Sequence, residues 1–191
     1  RSLSSSLSIF VITLILTKIL KRAKELVQSG KQLEASKPFT FFLENKVSLE
    51  DFNTSVLEKF SYLDDYDVLS AIKAWQFTDD YVLSNLCRMI INRDLLKIKM
   101  LDEKPNKELV NTYKQKFMNL TGISDKEATY FVFKGSLKNQ AYNKESEPIH
   151  IYKKDKTIED VVEASDQLHL KALSKPVTKY YVCFPKVILE S

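Results

Sequence analysis

FSYLDDYDVLSAIKAWQFTDDYVLSNLCRMIINRDLLKIKML, residues 60–101, decides how the first half of this chain is read. Asp64 or Asp65 opens one helix, with Val68, Leu69, Ile72 and Trp75 sharing a face at helical spacing. Asp79 opens the next, with Val82, Leu83, Leu86, Met89 and Ile90 turned inward. Acidic pairs at such starts accept orphan amide hydrogens and oppose the helix dipole. Capping is therefore the reading for Asp64-Asp65 and Asp79-Asp80, over metal ligation, which needs further converging ligands. Asp67, one turn in, reads as a solvated residue within reach of Lys73 or another cation. Trp75 shares the Leu69 and Ile72 face, so packing is favoured over base stacking. Leu95 to Leu101 alternates in part with Lys97 and Lys99, as a strand with one wet face does.

Working outward toward the N-terminus, a long helix is expected from about Ser6 to Ser29, closed by Gly30 in a left-handed conformation. Its apolar start, Leu7 to Leu20, falls short of the ~20 residues that span a bilayer, and no small-residue cleavage site follows it. We read a buried or amphipathic helix that packs against protein outside this chain, over a targeting segment or a cloning artefact. Arg rather than Met at position 1 is read as a fragment or a processed product. A short helix follows around Pro38 to Glu44. Ser48 with Asp51 resembles a capping box for the segment carrying Phe52, Val56, Leu57 and Phe60.

Toward the C-terminus, Asp102 to Asn106 is a polar, proline-containing break. It divides a helical region, 1–101, from a small α+β subdomain, 106–191. Leu109, Val110, Tyr113, Phe117 and Leu120 form a helical stripe closed near Gly122, and Ser124 with Glu127 marks another capping box. Tyr130 to Phe133 reads as a strand, Lys134 to Glu147 as a mobile loop, and Ile149 with Ile151 as a second strand. Thr157 opens a short helix with Ile158, Val161 and Val162, and Tyr180 to Phe184 is the last strand. The fold class is α+β, predominantly α-helical in its first half.

Composition narrows the function. With 44% hydrophobic residues among 191, a sizeable core is available, and 3 Gly with 5 Pro favour long helices. The same scarcity of glycine excludes a Gly-rich phosphate loop. The net charge of +4 is spread along the chain, whereas a nucleic-acid binder concentrates it in a stripe. Neither nucleic acid nor membrane is expected as a partner. Cys87 and Cys183 read as buried free thiols in a reducing cytoplasm. His150 and His169 stand apart from any nucleophile or metal-ligating group, so no catalytic residue and no metal ligand is assigned. Asn53-Thr54-Ser55 and Asn119-Leu120-Thr121 match the glycosylation pattern, a short match common by chance.

Arg93, Lys97 and Lys99 are the basic group that carries a functional expectation. Arg93 ends a helix, and Lys97 and Lys99 share one side of the following strand, so all three can converge on a phosphate. The competing reading is a helix C-terminal charge followed by a solvated strand face.

Three segments, Ile19-Leu-Lys-Arg-Ala-Lys-Glu-Leu26, Leu63-Asp-Asp-Tyr-Asp67 with Ala71-Ile-Lys-Ala-Trp75, and Asn92-Arg-Asp-Leu-Leu-Lys97, resemble the C-terminal half of HD-superfamily phosphohydrolases. These are the relatives of deoxyguanosine triphosphate triphosphohydrolases and of the sterile-alpha-motif and HD-domain proteins. The likeness runs from about Ile19 to Phe184, is looser after Pro105, and is lost before Lys18. It implies an upstream HD core, with a divalent metal held by His and Asp, that cleaves triphosphate from deoxynucleotides. No His-Asp doublet occurs in this chain, so it is expected to be a non-catalytic accessory region without a cofactor of its own. The resemblance also implies a homo-oligomer and, in regulated relatives, a nucleotide site. There an Arg-x-Leu-hydrophobic-Lys element, here Arg93-Asp94-Leu95-Leu96-Lys97, meets nucleotide phosphates. The competing class is a free-standing helical protein–protein interaction module.

Overall fold

Apolar residues recur along the first helix at four- and three-residue steps, Val11, Ile15, Ile19, Ala23 and Leu26, and all five are buried. That stripe organises the fold. In the computed structural model, described for residues 2–139, 150–153, 155–160 and 177–189, the stripe belongs to α1, Ser2–Gln28. The chain continues through α2 (Lys37–Glu44), α3 (Thr54–Ser61), α4 (Asp65–Trp75) and α5 (Tyr81–Ile91) to strand β1 (Lys97–Leu101). Helices α6 (Lys107–Thr121) and α7 (Asp125–Ala128) follow, then β2 (Phe133–Asn139), β3 (His150–Tyr152), β4 (Ile158–Asp160), β5 (Val177–Phe184) and a 3-10 turn, Lys186–Leu189. The fold is α+β with a helical first half.

β5 is the central strand of an antiparallel sheet ordered β1-β5-β2, with Ile98 opposite Cys183 and Phe133 opposite the same residue. Tyr181 to Phe184 are all buried, as a strand covered on both faces requires. β3 and β4 form a separate antiparallel pair. One apolar cluster joins α1, α2, α4 and α5 to Phe117, Phe131, Val182, Cys183 and Phe184. Each large side chain taken out of water there contributes about 1.5–3 kcal/mol. Trp75 is fully buried and its indole N–H donates to the Glu34 carbonyl at 2.8 Å, so its one polar atom is satisfied. Both thiols are free and buried, and burial pushes each up to about 12.

Several local expectations hold and others shift. Asp64 caps α4 in a capping box whose return bond comes from Asp67, which accepts from the Asp64 amide at 3.0 Å; Asp67 is thus a capping residue rather than a partner of Lys73. Leu69 is 46% exposed, and Ala71 takes its expected place on the buried face. Asp80, not Asp79, caps α5. Ser48 does bond Asp51, at 2.7 Å, but this closes a turn; α3 starts at Thr54 under an Asn53 cap. Ser124 and Glu127 form the expected box at α7. Tyr130 to Val132 form a buried turn rather than strand, because their amides still bond back to Glu127 and Ala128. The strand instead runs from Phe133 to Asn139, through residues read as a loop. Ile158 lies in β4 opposite Tyr152, not in a helix. Ile149, Val161, Val162 and His169, and the loop reading for 140–147, lie outside the described residues.

Gly135 sits directly opposite Tyr181 in the sheet, and a Cβ there would run into the tyrosine ring and hydroxyl. The glycine lets the Tyr181 ring lie across β2, where its edge meets Phe10 of α1 at 5.3 Å between centroids.

Candidate functional site

The two ends of α5 place nearly all the charge chemistry of interest. At its start, Asp80 accepts the Leu83 amide at 2.8 Å and a bidentate fork from Arg22 of α1, at 3.0 Å from Nε and 2.6 Å from Nη2. Both side chains are largely buried, 16% and 9% exposed. Burial alone would raise the Asp80 carboxyl, but the Arg22 and Leu83 hydrogen bonds outweigh it and hold the group below its usual range. Arg22 is raised in turn, first by its bond to Asp80. Glu25 extends the network by accepting the Tyr130 hydroxyl at 2.5 Å, and burial followed by that carboxylate pushes the phenol up. Among the described residues no group of three or more His, Cys, Asp or Glu side chains is arranged to hold a metal ion.

At the other end α5 reaches its cap residue Asn92, and the next residue, Arg93, turns into left-handed backbone with φ 56°. Non-glycine residues seldom adopt that region, and for an L-residue it costs roughly 1–2 kcal/mol. The turn throws the chain back toward α1 and starts β1. Arg93, Leu95, Leu96, Lys97, Ile98 and Lys186 line a hollow of about 490 Å³ whose far wall is Leu7, Ser8 and Val11 of α1. That volume lies within the range of small-molecule sites, ~300–1,000 Å³. Arg93 and Lys97 are exposed, and neither side chain has a hydrogen-bond or ion-pair partner among the described residues. Lys99 is exposed two residues further along β1, opposite Val182, outside the hollow's lining.

The structure thus brings Arg93 and Lys97 to one hollow and leaves Lys99 beside it. Sequence reasoning missed Lys186, which stands 92 positions from Asp94 and donates to it at 2.8 Å. No local spacing connects the two, and only the pairing of β1 with β5 makes them neighbours. His150 is exposed on β3. No described helix is long and apolar enough to cross a membrane.

Comparison with known proteins agrees with this architecture. No family model matches the chain. The uncharacterized protein YwfO of Bacillus subtilis (strain 168) is 38% identical over 96 residues, half of this chain and 20% of that protein. A phosphohydrolase from Bacteroides thetaiotaomicron VPI-5482, known from its crystal structure, is 36% identical. It matches with a TM-score of 0.81 over 94% of this chain and 45% of its own. The fold is therefore phosphohydrolase-like. The chain spans less than half the length of each of these relatives.

Proposed function

We propose that this chain is the C-terminal accessory and oligomerisation region of an HD-domain (deoxy)nucleotide phosphohydrolase, and that Arg93 and Lys97 belong to a regulatory nucleotide site in it. The observation that supports the assignment most is the similarity to a phosphohydrolase over 94% of this chain and 45% of that one. In this reading the catalysis, and the divalent metal it needs, belong to an HD core outside these residues. The protein works in the cytoplasm, consistent with its two free thiols.

Support for the nucleotide site comes from the backbone at Arg93. A fork of N–H donors is kept where glycine is cheaper, and it faces a hollow with a second unpaired cation. Arg93 supplies bidentate geometry and Lys97 a point charge, a pair suited to phosphate oxygens. Lys99 adds charge at longer range. Losing one charge-assisted bond costs about 1.5–3 kcal/mol, roughly ten- to a hundredfold in affinity. Arg93→Ala and Lys97→Ala should each weaken nucleotide binding by that factor and leave thermal unfolding unchanged. Unchanged binding in both variants would reject the site. Metal-dependent release of triphosphate from dGTP by this chain alone would reject the accessory assignment.

A free-standing interaction module is the second reading, favoured by exposed apolar side chains on and before α3, Leu49, Phe52, Leu57 and Phe60. A reading frame that continues upstream into a His-Asp doublet would decide for the phosphohydrolase.

A further inference from the structure

A second hollow, of about 190 Å³, opens beside the first, between α5 and α6. The two share Leu95, Leu96 and Lys186, so the Asp94–Lys186 pair stands where they meet. Their chemistry differs. The larger hollow carries Arg93 and Lys97. The smaller is walled by Tyr81, Met89, Phe117 and Phe131, with Asn85, Asp94, Thr121 and the shared Lys186 as its polar side chains; the Thr121 hydroxyl is already spent on the Phe117 carbonyl at 2.7 Å. It is too small for a whole drug-sized ligand and suits one flat ring. The Asp94 carboxylate repels an anion there but accepts N–H donors. Asn85 spends one amide hydrogen on the Tyr81 carbonyl at 2.8 Å; its carbonyl oxygen has no partner among the described residues. Lys186 is half exposed and Asp94 largely so, and exposed pairs of this kind are weak enough to exchange partners readily.

Resting on the phosphate reading of Arg93 and Lys97, we propose that the two hollows form one nucleotide site. The polyphosphate lies against Arg93 and Lys97, and Lys186 turns from Asp94 to become the third cation. The base enters the α5–α6 hollow, stacks against its aromatic wall and donates to Asp94 and Asn85. The charge on Asp94 fixes the ligand's direction, since a phosphate in the ring hollow is repelled.

Inorganic triphosphate and dGTP, titrated into the purified chain by calorimetry, separate the two halves of the site. Inorganic triphosphate carries at least as much charge, so electrostatics alone makes it bind as tightly. We expect dGTP to bind at least tenfold tighter, and that advantage to vanish in Asn85→Leu and in Met89→Phe, which fills the hollow. Lys186→Ala should weaken both probes, and Asp94→Asn should tighten inorganic triphosphate while reducing the dGTP advantage. Equal binding of the two probes, or an advantage that survives Asn85→Leu in a chain with unchanged melting, overturns the ring subsite. If Arg93→Ala still weakens both probes in that case, the phosphate reading stands. If neither probe binds the wild-type chain, the phosphate reading fails and this inference fails with it.

Discussion

The two ends of α5 use charge in opposite ways. At the N-terminal end the buried charges have partners: Asp80 holds a backbone amide and the Arg22 fork, and Glu25 holds Tyr130. At the C-terminal end Arg93 occupies strained backbone and its side chain reaches a hollow without a described partner. The first arrangement lowers the energy of the fold. The second raises it, and such strain persists only where the surrounding structure imposes it. If Arg93 serves a ligand as proposed, charge built into the architecture and charge held for binding differ here in energetic sign, not in residue type. The contrast sharpens beside the other helix ends. α1 and α6 also finish on left-handed residues, but these are Gly30 and Gly122, at φ 91° and 73°, where the conformation costs little.

The contrast breaks most readily at Arg22. Arg22→Ala would leave the Asp80 carboxylate mostly buried with only its capping amide. Removing one partner of a buried pair costs about 3–5 kcal/mol, and partial exposure brings the expectation to about 2–4 kcal/mol. Denaturant unfolding should show a lower midpoint with an unchanged slope. A loss under about 1 kcal/mol would mean that this end is as dispensable as the other.

Acid should act through the same end. The folded Asp80 carboxyl lies below its unfolded value, so its contribution is complete above the ordinary aspartate range and is lost as pH falls through the folded value. Stability should therefore fall below about pH 4, and less steeply in Arg22→Ala, which has already lost most of the couple. Parallel acid-unfolding curves for wild type and Arg22→Ala would contradict the assignment of Asp80 as the responsive group.

How much of this was legible from the sequence follows sequence separation. The Asp64–Asp67 and Ser124–Glu127 boxes are three-residue motifs, and the cap residues announce them. Arg93 and Lys97 are four apart, so their convergence was readable. Arg22 and Asp80 are 58 positions apart and Asp94 and Lys186 are 92 apart, and those pairs exist only because α1 packs on α5 and β5 pairs with β1. The β4 segment misled for a different reason. Ile158, Val161 and Val162 fit a helical spacing, while the strand is decided by its partner Tyr152. The left-handed turn at Arg93 carried no glycine to mark it.

A smaller effect is expected at Gly122. A methyl group added there meets nothing within 4 Å, so any cost is conformational. Gly122→Ala should destabilise the chain by about 1 kcal/mol, the left-handed penalty offset in part by a stiffer unfolded chain. No loss would mean that this helix end tolerates side chains freely, and the strain assigned to Arg93 would lose its support.

The smallest effect has the most informative sign. Arg93→Gly relieves roughly 1–2 kcal/mol of left-handed strain but returns about 0.4–1 kcal/mol as freedom of the unfolded chain. The net gain should be roughly 0.5 kcal/mol. Arg93→Ala keeps the strain and stiffens nothing, so its stability should match wild type. Both variants delete the guanidinium and should lose phosphate affinity alike. A helix end that becomes more stable as it stops binding is one whose arginine is kept for its ligand. Paired thermal melts and triphosphate titrations on the two variants test this directly. If Arg93→Gly is the less stable of the two, the arginine is supporting the fold, and the two ends of α5 serve the same purpose.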